Sequence, residues 1–195
     1  MSQTVWHRRF PAGFGVEKAL AATRTPGPPE PIVFRPGEGE NIGDLGSVLA
    51  SFTADDAWEL GHLLYARLRL LAPERPAIVH ISMAGGPALF EAATGPGPTP
   101  NDAAWVARKR AAALRFGSSS WRLGRKFAGS QEWFAAELGP ETAASLGNRG
   151  GAVPIRVAGV EGVVAVVVVS GLVMQHEDHG VIVEVIRDNW DPVES

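Results

Sequence analysis

Apolar and polar positions follow two rhythms along this chain, and the changes of rhythm mark its elements. In Ala77–Met83, Ala77, Val79, Ile81 and Met83 fall on one face and Ile78, His80 and Ser82 on the other, the two-residue period of a strand. Leu45–Phe52 reads as an earlier strand. Thr53 follows it, with Asp56 three residues on, close to a capping box. The helix after this cap places Ala57, Leu60, Gly61, Leu64, Leu68 and Leu71 on one stripe and ends before Pro73. Gly85-Gly86 signals a hairpin into a third strand at about Ala88–Ala93.

Thr99-Pro100-Asn101-Asp102 opens a second helix with a cap threonine, a proline at its first position and an acid in its first turn. It runs to about Phe116 and breaks at Gly117-Ser118-Ser119-Ser120. Shorter helical pieces are expected at Arg122–Phe127 and Gln131–Leu138. Val153–Val157 and Val163–Ser170 form a last hairpin, and because Val163–Val169 has no polar side, that strand must be covered on both faces. A final helix at about Glu177–Trp190 buries Ile182, Val183, Ile186 and Trp190. The order β-α-β-β-α-β-β-α, with two hairpins, predicts an α+β fold: a five-stranded antiparallel sheet flanked by helices.

Residues 1–46 depart from this pattern. The stretch Arg24–Glu40 carries prolines at 26, 28, 29, 31 and 36, a density that prevents ladders and favours an extended path. Residues 1–46 are therefore expected to be a Pro/Gly-rich arm, partly ordered or docking on a neighbouring subunit. Residues 47–190 then form the folded domain and 191–195 a tail.

A chain of 195 residues fits one domain. It has no cysteine, which excludes thiolate zinc sites, iron–sulfur clusters, disulfides and cysteine nucleophiles. No apolar run reaches the ~18 residues of a membrane span, and residues 1–16 lack a signal-peptide core, so a cytoplasmic protein is expected. Net charge is only −3, yet Arg108, Lys109, Arg110, Arg115, Arg122, Arg125 and Lys126 lie together between Asp102 and Glu132 with no acid among them. A basic patch in an otherwise acidic chain suits a small anionic ligand or an acidic neighbouring subunit. Nucleic acid is not expected, since the remaining charge would repel a phosphate backbone.

On the second helix Trp105, Ala112 and Phe116 share a stripe, and Lys109 falls inside it. A lysine there must snorkel, pair with an acid of the same fold, or meet an anionic ligand. The Gly117–Ser120 turn is either an ordinary helix end or an anion-binding nest near Arg122 and Arg125. His176-Glu177-Asp178-His179 is not a metalloprotease pattern and lacks a third distant ligand, so no metal site is assigned. His179 lies on the apolar stripe of the last helix and reads as a core histidine.

Three segments belong together: Asn101–Arg110 continuing through Arg115-Phe116-Gly117-Ser118-Ser119-Ser120; Gly150–Arg156; and Val169-Ser170-Gly171-Leu172 followed by Asp178-His179. Over about Val48–Arg187 this pattern resembles the small cytoplasmic branch of the haem-degrading-domain superfamily, whose relatives include HbpS-like and GlcG-like domains. The resemblance implies a profilin-like sheet with flanking helices, assembly as dimers or higher homo-oligomers, and haem or iron binding in some members. It carries over Asn101, Asp102, Trp105, Arg108, Lys109, Phe116, Ser118, Ser119, Asp178 and His179. Val173-Met174 departs from it, since a proline usually begins the last helix there. Haem would also need an axial ligand, for which His80, His176 and Met174 are the candidates.

The function expected is an oligomeric binding module for an anionic small molecule, haem or another tetrapyrrole being the ligand the resemblance implies. Lys109, Arg108, Ser118 and Ser119 would receive its carboxylates, Trp105 and Phe116 would supply apolar contact, and Asp178 and His179 would complete the set. Two alternatives stand beside it: an assembly protein with charge-paired subunit interfaces, and an enzyme using Lys109 as base or nucleophile with Asp178 and His179.

Overall fold

The computed structural model describes residues 4–24, 46–71 and 76–193. Its elements are β1 (Val5–Arg8), α1 (Phe14–Arg24), β2 (Ser47–Leu49), α2 (Ala54–Leu71), β3 (Ile78–Met83), β4 (Ala88–Ala93) and α3 (Pro100–Phe116). There follow α4 (Ser120–Lys126), α5 (Gln131–Leu138), α6 (Pro140–Ser145), β5 (Ala152–Val157), β6 (Ala165–Ser170), α7 (Gln175–Asn189) and β7 (Trp190–Pro192). The Pro-rich stretch of the expected arm lies outside the described residues, as do Leu45 and Pro73. No described helix is long and apolar enough to cross a membrane.

The α+β class and the flanking helices are as the pattern predicts, but the sheet has seven strands rather than five, in the order β4-β3-β6-β5-β2-β1-β7. The two additional strands extend one side of it: Trp6 pairs with Pro192 and Arg8 with Trp190. Nor is the sheet wholly antiparallel. β1–β2 and β2–β5 run parallel, while the hairpins and β3–β6 are antiparallel. Hairpin signals report only strands adjacent in sequence. The partner of β2 is β5, far along the chain, and a parallel pair needs such a crossover.

The all-apolar strand sits where its composition requires. Ala165, Val167 and Val169 face a core built with Leu60, Leu64 and Leu68 of α2 and Ile182 and Ile186 of α7. Val166 and Val168 face Val106 and Ala113 of α3 on the other side. Each fully buried valine contributes about 1.5–3 kcal/mol relative to exposure, so this strand fixes which helices cover which face. Both helix caps form as expected. The Asp56 N–H donates to Thr53 Oγ1 while Asp56 Oδ2 accepts from the Thr53 N–H, and Thr99 with Asp102 makes the same reciprocal pair before Pro100.

The beginning of the chain is part of the sheet and its helical layer. Trp6, Phe10 and Phe14 pack against the main core, with Phe10 edge-on to Trp190 at 5.4 Å. α1 lies on α2 through Ala19, Ala22 and Ala66. The buried carboxylate of Glu59 accepts from the backbone N–H groups of Gly13 and Gly15. A Cβ at Gly15 would come within 2.5 Å of the Glu59 carbonyl, so only glycine permits this approach. The arm expected over 1–46 is thus, in its first half, a strand and a helix of the domain.

Candidate functional site

Lys109 faces the sheet from α3 and is 3% exposed. Its Nζ donates to Asp178 Oδ2 at 2.7 Å and to the Val169 carbonyl at 3.1 Å. Asp178 Oδ1 accepts from the Leu172 N–H at 3.0 Å. Room for the pair comes from Gly151 at φ +114, where a Cβ would lie 2.9 Å from Lys109 Nζ. Burial pulls Lys109 below the ordinary ammonium value and Asp178 above the ordinary carboxylate value, and each charge offsets part of that for the other. Of the three fates open to Lys109, the structure shows the pair within the fold. Lys109 and Asp178, expected as ligand contacts, instead tie α3 to α7.

The other interior candidates are also engaged. His179 is 1% exposed and stacks on Trp121 at 6.0 Å. Burial, with the Arg125 charge second, depresses its pKa to about 3, so it is neutral near pH 7. Ser119 is fully buried and caps α4 by accepting the Arg122 N–H at 3.0 Å, while Ser120 accepts from Ala152. The first carbonyl of that turn, Gly117, accepts from the Arg156 guanidinium at 2.6 Å. Ser118 is half-buried. The turn ends one helix and starts the next.

Trp105 and Phe116 lie off the buried face of α3, which is formed by Val106, Lys109, Ala112 and Ala113. The two aromatics dominated the sequence pattern and displaced the stripe by about one residue. Phe116 is 36% exposed beneath the Arg115 guanidinium. Trp105 keeps Arg108 over its ring at 4.3 Å, and Arg149 joins it at 4.9 Å.

An accessible arrangement of chemical groups lies elsewhere, in a cleft of about 380 Å³ between α3 and the β3–β4 hairpin. Ile78, Val106, Ala88, Ala103 and Ala107 give it apolar walls, and His80, Glu91, Ser82 and Arg110 its polar groups. His80 stands opposite Glu91 in the hairpin register, and its Nδ1 lies 2.5 Å from Glu91 Oε2. With a proton on Nδ1 the ring donates to Glu91, and Nε2 has no hydrogen bond among the described residues. Arg110 Nε donates to Ser82 Oγ at 2.6 Å, and Nη2 donates to the Met83 and Ala84 carbonyls at 2.8 and 3.0 Å. Among the described residues no carboxylate pairs with Arg110. A second groove of about 410 Å³, between α1, α2 and α7, differs in this respect, because its Arg67 is bonded to Glu184 at 2.6 Å. No group of three or more potential metal ligands occurs among the described residues.

Both walls of the cleft lie within residues 52–187, the span that matches the family described as haem degrading protein HbpS-like. The chain belongs to that family. Its relatives include a UPF0303 protein of Streptomyces coelicolor, 44% identical over 143 residues that cover 72% of this chain and 84% of the relative. Another is the UPF0303 protein YBR137W of Saccharomyces cerevisiae, 33% identical over 67% of this chain and 71% of that one. Among solved structures, the Ybr137w protein superposes with a TM-score of 0.64 at 30% identity, covering 72% of this chain and 80% of that one. HbpS itself superposes with a TM-score of 0.51 at 18% identity, over 67% of this chain and 84% of that one, which shows the shared fold. The HbpS-like span runs from just before α2 into α7. β1, α1, β2 and β7 fall outside it.

Sequence reasoning named His80 alone of the cleft's polar groups. Arg110 was counted in the basic cluster but not singled out. Its signal was its position four residues after Val106, one turn along the same helix side.

Proposed function

We propose that this HbpS-like protein is a binding module for an anionic small molecule with a substantial apolar part, received in the cleft between α3 and the β3–β4 hairpin. One observation carries the reading. Arg110 has no carboxylate partner among the described residues and is held in place through Ser82 and two carbonyls, beside the apolar walls of the cleft. A guanidinium fixed this way is prepared for a ligand carboxylate, and the walls reward burial of the ligand's apolar body at about 25 cal/mol per Å².

Haem is the ligand the family description points to, and the residues present fit it. An imidazole whose Nδ1 is held by a carboxylate is the form in which histidine ligates a metal through Nε2. Arg110 and Ser82 would take a propionate. Of the other axial candidates, Met174 caps α7 and His176 lies edge-on to Trp121 at 6.4 Å, and neither lines the cleft. When bound, haem supplies an iron capable of redox and oxygen chemistry. The chain's own part is to hold the anionic edge and to orient the imidazole.

The reading is tested by titrating the protein with hemin and with metal-free protoporphyrin. Arg110→Gln weakens both ligands about tenfold or more, while its melting temperature reports any loss from the hairpin contacts. Equal affinities in wild type and Arg110→Gln, or no binding of either porphyrin, would remove the proposal.

A further inference from the structure

We infer that the outer side of α3 and the loop after α6 form a second anion site, separate from the cleft and suited to a phosphate group, with Arg108 and Arg149 as its cations. Two guanidiniums lie over the single indole of Trp105, at 4.3 and 4.9 Å from its centroid. Like charges gathered on one ring repel, and no carboxylate among the described residues pairs with either. Asp178 is committed to Lys109, its Oδ2 2.7 Å from Nζ. Burial chiefly pulls the Lys109 pKa down, Asp178 opposes this, and the Arg149 charge adds a smaller push in the same direction as burial. Three cations thus gather on this part of α3, and among the described residues Asp178 is paired with Lys109 alone.

The donors around the indole are also incompletely used. Arg108 donates from Nη2 to the Leu146 carbonyl at 3.3 Å, but its Nε is buried with no hydrogen-bond partner. Asn148, 3% exposed, leaves its Nδ2 buried and equally unpartnered. Folded proteins satisfy about nine in ten or more of such groups, and each orphan requires a reason. The two orphans belong to one local structure. The Gly147 N–H donates to the Arg108 carbonyl at 2.8 Å, and a Cβ at Gly147 would lie 2.8 Å from the Lys109 nitrogen. The loop backbone is therefore pressed onto α3 at Arg108, with Asn148 and Arg149 following directly.

A tetrahedral dianion answers both features at once. It neutralises two guanidiniums and offers enough lone pairs to accept from Arg108 Nε, Asn148 Nδ2 and the Arg149 fork together. Free inorganic phosphate and the phosphoryl group of a metabolite share this chemistry.

The test is a titration of the full chain with inorganic phosphate, at constant ionic strength, followed by ¹H–¹⁵N spectra of the Trp105 indole, the Arg108 Nε–H and the Asn148 amide. Saturable shifts in these signals are expected, weakened at least tenfold in Arg149→Gln and retained in Arg110→Gln. Because Arg149 is an exposed side chain, its replacement leaves the fold intact. A phosphomonoester of a small alcohol is then titrated to distinguish free phosphate from a phosphoryl group, tighter binding of the ester indicating the latter. Shifts that grow linearly, or that persist in Arg149→Gln, mean an adventitious ion only and overturn the site. Shifts lost in Arg110→Gln instead would place the anion in the cleft. Dissociation of a homo-oligomer by Arg149→Glu, with no phosphate shift in the wild type, would assign these cations to an acidic surface of a second copy and overturn the proposal equally.

Discussion

Replacing Lys109 by methionine removes one charge while keeping most of the side chain's volume. Asp178, 4% exposed, is then left with backbone N–H donors, Leu172 foremost and Gly171 second. Breaking a buried pair from one side costs about 3–5 kcal/mol, because the surviving charge is neither solvated nor paired. Asp178→Leu should cost a similar amount, stranding Lys109 against the Val169 carbonyl. The double replacement Lys109→Met/Asp178→Leu removes both charges. Its main debt is the unpaired Leu172 N–H, about 1–3 kcal/mol, so it should be more stable than either single variant. Urea unfolding at pH 7, with unchanged m-values, measures all four proteins of the cycle. Singles that each cost under ~1 kcal/mol, or a double equal to their sum, would refute the reasoning. Either result would mean that the ammonium reaches water.

Two further predictions concern the same interior. His179 has a folded pKa of about 3 against an ordinary 6.5, so below pH 6.5 the unfolded chain takes up a proton that the folded chain refuses. Stability is therefore lost as pH falls from 6.5 towards 3, by about 2 kcal/mol at pH 5. Urea midpoints at pH 7.5 and 5 should differ less in His179→Phe than in wild type, and equal differences would show that the imidazole charges within the fold. Gly151→Ala should cost at least about 2 kcal/mol, from a positive φ and a Cβ 2.2 Å from the Val169 carbonyl. Gly159→Ala, at φ +78 with open space around it, should cost only the backbone strain. Thermal unfolding of both proteins checks this, and similar losses would mean that crowding at Gly151 is relieved elsewhere.

What could be read from the sequence was local. Thr53 with Asp56, and Thr99 with Pro100 and Asp102, announce helix starts through contacts three residues long. The valine run announces a central strand through its own composition. β1 was missed because its four residues carry no turn signal, and its place depends on pairing with Val48 and Asp191. The buried Glu59 carboxylate that holds Gly13 and Gly15 is a contact across more than forty residues, invisible to periodicity. The cleft was partly within reach. The hairpin signal at Gly85-Gly86 brings β3 against β4, but the register that sets His80 opposite Glu91 depends on a shift between Ile81 and Ser82, which pairs with Ala88. Arg110 was hidden because its partners are the Ser82 hydroxyl and two carbonyls on a hairpin nearly thirty residues earlier. Lys109 was noticed correctly as misplaced on an apolar face, but which anion met it depended on how α7 packs.

In the proposed function, ligand enters at His80 and Arg110 and not at Lys109, and an absorption titration with hemin separates the two. A saturable Soret shift is expected that disappears in His80→Ala and survives in Lys109→Met/Asp178→Leu. A shift unaffected by His80→Ala but abolished in the Lys109→Met/Asp178→Leu protein, with that protein still folded, would contradict it.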